Sequence, residues 1–166
     1  MNDGKRFEAD FKNSMPDNVF YYRFRDGTAA WGGSQDNTRF QQSNIADCEM
    51  FDGNKLYIIE LKSHKEKSIP FSALGNNPKK REEKIKELSK ASMFKNMVVG
   101  YIFNFRDLGL TYFIKVAHVE CFYFHGDRKS FPLAWCQENG IELKGKKLRV
   151  NYRWDLELLL NIPVTP

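Results

Sequence analysis

A chain of 166 residues is long enough for one domain with a sizeable core and too short for a second independent one. Hydrophobic residues at 42% and aromatics at 14% exclude a disordered chain, and no apolar run approaches the roughly 20 residues of a transmembrane helix. The net charge of +5 suits a nucleic-acid partner without establishing one. The N-terminal MNDGKRFEADF lacks the apolar core of a secretion signal, so a cytoplasmic location is expected. Cys48, Cys121 and Cys136 form no CxxC pair, and reduced thiols are expected rather than a disulfide framework. His118 and Cys121, three apart, are too few ligands for a zinc site, and packing is the simpler role for both.

Taken in order, residues 4–14 predict a short helix with Phe7 and Phe11 on one face and a Glu8–Lys12 pair at i, i+4. VFYYRFR at 19–25 reads as an aromatic strand. The Gly/Asn/Gln/Ser stretch at 26–44 has no periodicity and is long for a loop inside one domain, which points to a functional segment or a disordered one. Residues 45–51 and 56–62 predict two strands joined by a tight turn over DGN at 52–54. Ser68 and Pro70 suggest a turn or a helix start, and 79–95 a helix with Ile85, Leu88 and Ser92 on its inner stripe. VVGYIFNF at 98–105 predicts a central strand, RDLG a turn, and 110–116 a returning strand. Residues 117–124 fit helix or strand. SFPLAWCQENG predicts a helix ended by Gly140, 146–152 an edge strand or extended segment, and 154–161 a C-terminal helix. The expected fold is α/β, a mixed central sheet flanked by helices, in a single domain over residues 1–166.

The chemistry concentrates in IADCEMFDGNKLYIIELK at 45–62. Alternation puts Leu56, Ile58, Glu60 and Lys62 on one strand face and Tyr57, Ile59 and Leu61 on the other. Pairing about the 52–54 turn places Asp47 roughly opposite Glu60 or a neighbour. Two carboxylates and a lysine then meet at one end of the sheet. Converging carboxylates repel unless a cation lies between them, and hard oxygen ligands select Mg²⁺ or Mn²⁺. A lysine there can orient or deprotonate a water, which together with the metal suffices for phosphodiester hydrolysis. The alternative is a plain surface ion pair between Glu60 and Lys62.

Asp47 with Glu60-Leu61-Lys62 resembles the D…(D/E)xK signature of restriction-endonuclease-like nucleases. GKRFEADF, IADCEMF, YIIELKS, SIPFSAL and RKSFPLAWCQENGIEL, in that order, resemble the RecU family of Holliday junction resolvases, over most of the chain from Gly4 to about Leu160. The resemblance implies metal ligation by Asp47, Glu60 and the Leu61 carbonyl, water handling by Lys62, and an accessory acidic role for Glu8. It implies a metal-dependent, structure-selective endonuclease that resolves four-way junctions in recombination and repair, acting as a homodimer on branched DNA. A phage-encoded relative is consistent with the compact length. RecU-like proteins carry a stalk ahead of the catalytic Asp, and residues 26–44 sit there, although glycine-rich and short for a stalk. Lys84 stands where the family often has a glutamine. Another endonuclease of the same fold, of restriction or repair type, and a DNA-binding protein without catalysis are the alternatives.

Lys65, Lys67, Lys79, Lys80 and Arg81 are expected, as a group, to face DNA phosphates, with Lys84 and Arg39 as further contacts. Singly, each suits a solvated surface as well. Trp31 either stacks in an opened junction or anchors its own loop.

Overall fold

The computed structural model describes residues 3–24 and 44–163; the expected insert at 26–44, with Trp31 and Arg39, lies outside the described residues except for Asn44. Helix α1 (Asp3–Lys12) buries Phe7 and Phe11, as their spacing predicts. Strands β1 (Phe20–Arg23), β2 (Cys48–Phe51) and β3 (Leu56–His64) follow. Then come β4 (Ser68–Pro70), a 3₁₀ turn, and helix α2 (Pro78–Ala91). β5 (Met97–Phe105), β6 (Leu110–Lys115) and helix α3 (Val116–His125) form the next group. The chain closes with β7 (Ser130–Pro132), α4 (Leu133–Asn139), β8 (Ile141–Glu142), β9 (Gly145–Lys147), β10 (Tyr152–Trp154) and α5 (Glu157–Leu160).

Among the described residues the main sheet has six strands in the order β1-β2-β3-β5-β6-β8. Of the strand pairs among those described residues only β3–β5 is parallel, so the sheet is mixed. A parallel pair needs a crossover, and α2 supplies its helical part. Asn77 caps α2 by accepting the Lys80 N–H at 3.2 Å, and Pro78 takes the first turn, where its missing N–H costs nothing.

Alternation along β3 divides the core into two layers. Tyr57, Ile59 and Leu61 pack with Phe7 and Phe11 of α1 and with Trp154, Leu156 and Leu159. Ile58 and its neighbours Tyr101 and Phe103 on β5 pack with Ile85 and Leu88 of α2 and Val119 of α3. The α/β expectation of a mixed central sheet flanked by helices is met.

Several elements differ from the sequence reading. Residues 130–132 are a strand paired with β4, so Ser68 and Pro70 stand in a small ribbon, and Pro70 also caps the start of the 3₁₀ helix Phe71–Leu74, the helix start expected there. Pairing across so many residues leaves no local signal. The stretch 146–152 contributes to both strands of a β9–β10 hairpin, with Tyr152 opposite Lys147. Gly140 does end α4, but in extended geometry (φ −120°). Its reason is space: a Cβ there would lie 2.3 Å from Ile114 Cδ1 and 2.7 Å from the Cys136 carbonyl oxygen. Residues 116–125 resolve to helix, and the cysteines are free thiols. Among the described residues no helix is long and apolar enough to cross a membrane.

Candidate active site

The hairpin turn fixes a register, and the register assembles the site. Asp52 Oδ1 accepts the N–H groups of Asn54 (2.9 Å) and Lys55 (2.7 Å), and Gly53 takes a left-handed φ of +94°. Phe51 then faces Leu56 and Cys48 faces Ile59. One step beyond, Asp47 meets Glu60. Asp47 lies in a bend just before β2 rather than in the strand, yet its N–H still donates to the Ile59 carbonyl at 3.2 Å. The bend swings the side chain across the strand end, where Oδ2 accepts the Leu61 N–H at 2.7 Å. By strand alternation the Leu61 carbonyl leaves toward the same edge.

Two ammonium groups answer the two carboxylates. Lys62 Nζ lies 2.6 Å from Glu60 Oε1 and 3.4 Å from Asp47 Oδ2. Lys84 Nζ, reaching in from α2, lies 2.7 Å from Glu60 Oε2, out of line for a hydrogen bond. The Glu60 side chain is only 2% exposed, against 20% for Lys62, 23% for Asp47 and 26% for Lys84. Burial disfavours the charge on Lys62, but Glu60 and then Asp47 outweigh it and hold its pKa above the ordinary lysine value. Tyr101 sits opposite Glu60 on β5 and is buried; burial pushes its phenol pKa up, and the Glu60 and Asp47 charges add to that. The hairpin alone gave no sign of Tyr101, because its place depends on the parallel register with β5.

The donor chemistry fits a hard divalent ion. Two carboxylates and a backbone carbonyl are all oxygen ligands, and both carboxylates already face positive charge. Glu8, on α1, pairs with Arg23, and its charge acts on the buried Cys48 thiol together with those of Asp47 and Glu60. Among the described residues no group of three or more His, Cys, Asp or Glu gathers to hold a metal.

Of the expected phosphate contacts, Lys65, Lys67, Lys79 and Lys80 are exposed. Arg81 is engaged within the fold: Nη1 donates to the Gly75 carbonyl at 2.7 Å and Nε to the Tyr123 hydroxyl at 3.4 Å. Lys84 is tied to Glu60 rather than solvated. Beside it opens a cleft of about 450 Å³ lined by Asn44, Asn77, Lys80, Arg81, Glu83 and Lys84. A second cavity, of about 350 Å³, collects Arg6, Arg106, Lys147 and Arg149 with Asp3 and Asp10, and Arg106 is paired with Asp3 at 2.9 Å. Those basic residues are scattered along the sequence and carry no shared motif, so only the fold reveals them together.

No family model matches the chain. In the solved structures, the 1.6 Å structure of Archaeoglobus fulgidus Hjc, a Holliday junction resolvase, is similar with a TM-score of 0.49 and 16% identity, over 84% of this chain and 95% of that one. The SPbeta prophage-derived uncharacterized protein YotM of Bacillus subtilis (strain 168) is 30% identical over 178 residues, covering 95% of this chain and 85% of that protein. The chain therefore belongs to the family of the Bacillus subtilis prophage protein YotM.

Proposed function

We propose that this chain is a metal-dependent, structure-selective DNA endonuclease of RecU-like type that resolves four-way junctions. The observation that carries the reading is the meeting of Asp47, Glu60 and Lys62 at one end of the hairpin, with the Asp47 carboxylate fixed by the Leu61 N–H. That placement in a mixed sheet supports a restriction-endonuclease-like reading of the fold. Asp47, Glu60 and the Leu61 carbonyl hold Mg²⁺ or Mn²⁺, which when bound supplies a Lewis acid and lowers the pKa of a coordinated water. Lys62, beside both carboxylates, positions the attacking water and offsets charge on the phosphate. The exposed Lys65, Lys67, Lys79 and Lys80 contact the DNA backbone, with the basic residues of the second cavity as a further phosphate surface.

A homodimer sets two such sites on opposing strands of a symmetric junction. Residues 26–44, including Trp31 and Arg39, contact the junction or the partner subunit. Deleting them should spare folding and weaken junction binding; unchanged affinity would make them a linker.

The deciding experiment compares a synthetic four-way junction with matched linear duplex, with and without Mg²⁺. Cleavage of the junction alone, and only with the ion, is the expected result. Cleavage of both substrates alike would favour a different endonuclease. The lysine lodged on Glu60 Oε2 favours a second reading, a branched-DNA-binding protein without catalysis. Tight junction binding with no cleavage, unaffected by Glu60→Gln, would establish it.

A further inference from the structure

We infer that Lys84 is a displaceable internal counter-ion: it holds Glu60 Oε2 until a divalent cation is bound and then moves into the adjoining cleft. The inference rests on the metal-dependent reading above and concerns how that site is kept closed.

A carboxylate as buried as Glu60 stays charged only when it is compensated. Two ammonium groups share the task, and they are not equivalent. Lys62 stands on the same strand, takes Oε1, and leans toward Asp47 as well. It is bound to the acid pair from two sides. Lys84 belongs to another element and touches only Oε2 in this cluster. The burial of Ile85 and Leu88 fixes the backbone of α2, but the four-carbon stem of Lys84 can swing without moving the helix.

Charge and space give the direction. Asp47 and Glu60 against Lys62 and Lys84 make a neutral cluster. A doubly charged ion at the same carboxylates adds two positive charges at close range, and the ammonium on Oε2 is then repelled. Lys84 has an exit, since it lines the cleft of about 450 Å³ with Asn77, Lys80, Arg81, Glu83 and Glu87. A DNA phosphodiester in that cleft is the chemical class that would receive it. Cation binding and phosphodiester binding thereby favour each other, because each draws Lys84 away from Glu60.

The test is calorimetric titration of MnCl₂ into the full chain without DNA, for the wild type, Lys84→Met, Lys84→Arg and Glu60→Gln, with thermal unfolding as the folding control. Lys84→Met should bind Mn²⁺ more tightly, by about fivefold or more, the lower end of ordinary coupling between sites. Lys84→Arg keeps the positive charge and should stay near wild type. Should Lys84→Met fail to fold, Lys84→Gln takes its place with the same expectation. Equal or weaker Mn²⁺ binding by the neutral variant, with binding still lost in Glu60→Gln, overturns the role of Lys84 and leaves the metal site standing. Mn²⁺ binding indifferent to Glu60→Gln, or absent from all four proteins, overturns the metal site and this inference with it.

Discussion

The two ends of one hairpin are built from the same materials and do different work. At the turn of β2–β3 stand Asp52, Lys55 and Tyr57; at the open end stand Asp47, Glu60 and Lys62. Asp52 is held by two backbone N–H groups, and the Tyr57 hydroxyl lies 2.8 Å from its Oδ2 and 2.9 Å from the Leu160 carbonyl oxygen. Lys55 donates to the carbonyls of Leu160 and Ile162. The turn is therefore locked to the C-terminal segment by backbone groups that cannot leave. At the open end the charges are met mainly by other charged side chains, one of them from a separate helix. Backbone partners make a fixed structural joint. Side-chain counter-ions can be exchanged for a ligand, and that makes the open end the candidate for chemistry.

The comparison can be broken most sharply at Lys62. Lys62→Ala should reduce single-turnover junction cleavage ~10²–10⁴-fold, the usual loss of a positioned proton-transfer group, while junction affinity changes little. A rate within about threefold of wild type would leave Lys62 as no more than an ion-pair partner. The turn should show the converse. Asp52→Ala leaves two N–H groups without their acceptor and the Tyr57 phenol with the Leu160 carbonyl alone, and should cost about 1–3 kcal/mol in urea unfolding, with the single-turnover rate retained. Gly140→Ala, far from both ends, sets the scale for a purely steric loss. Its Cβ would strike Ile114 and the Cys136 carbonyl, and about 1–3 kcal/mol of stability should disappear.

The smallest expected effect is in pH. Burial raises the Asp52 pKa, but the Lys55 and Asn54 N–H groups, the Tyr57 hydroxyl and the Lys55 charge outweigh it, and the folded value lies below the ordinary one. A depressed carboxyl stabilises the fold fully above its unfolded pKa of roughly 4 and loses that contribution as pH falls through the folded value. The stability gap between wild type and Asp52→Asn should therefore narrow between pH 5 and pH 2, the range about that unfolded pKa. A constant gap would mean that the ionised form of Asp52 is not what the turn uses.

The hairpin was legible in the sequence because its signals are local. Period-two alternation in LYIIELK and an Asp-Gly turn set the register, and the register sets Asp47 against Glu60. Lys84 was expected at a DNA phosphate because it stands where the resembled family often has a glutamine, and nothing in the sequence signalled that its partner would be Glu60, on a strand 24 residues earlier, 84 − 60. Glu8 was expected beside the acids only from the family resemblance; its pairing with Arg23 of β1 has no local signal in the sequence. The β4–β7 ribbon and the β3–β5 register escaped for one reason, pairing across many residues with no periodic signature of its own.

The single parallel pair also dictates an order of assembly. β2 and β3 close through a short turn, a microsecond event on the ~1–10 μs scale of hairpins, and this brings Asp47, Glu60 and Lys62 together early. β5 can pair with β3 only after the intervening ribbon strand and α2 have folded back, a loop closure that is entropically costly and slow. Until then Glu60 is in water and its charge costs nothing. The helix that arrives to cover it brings Lys84, so the carboxylate loses its hydration and gains its counter-ion in one step.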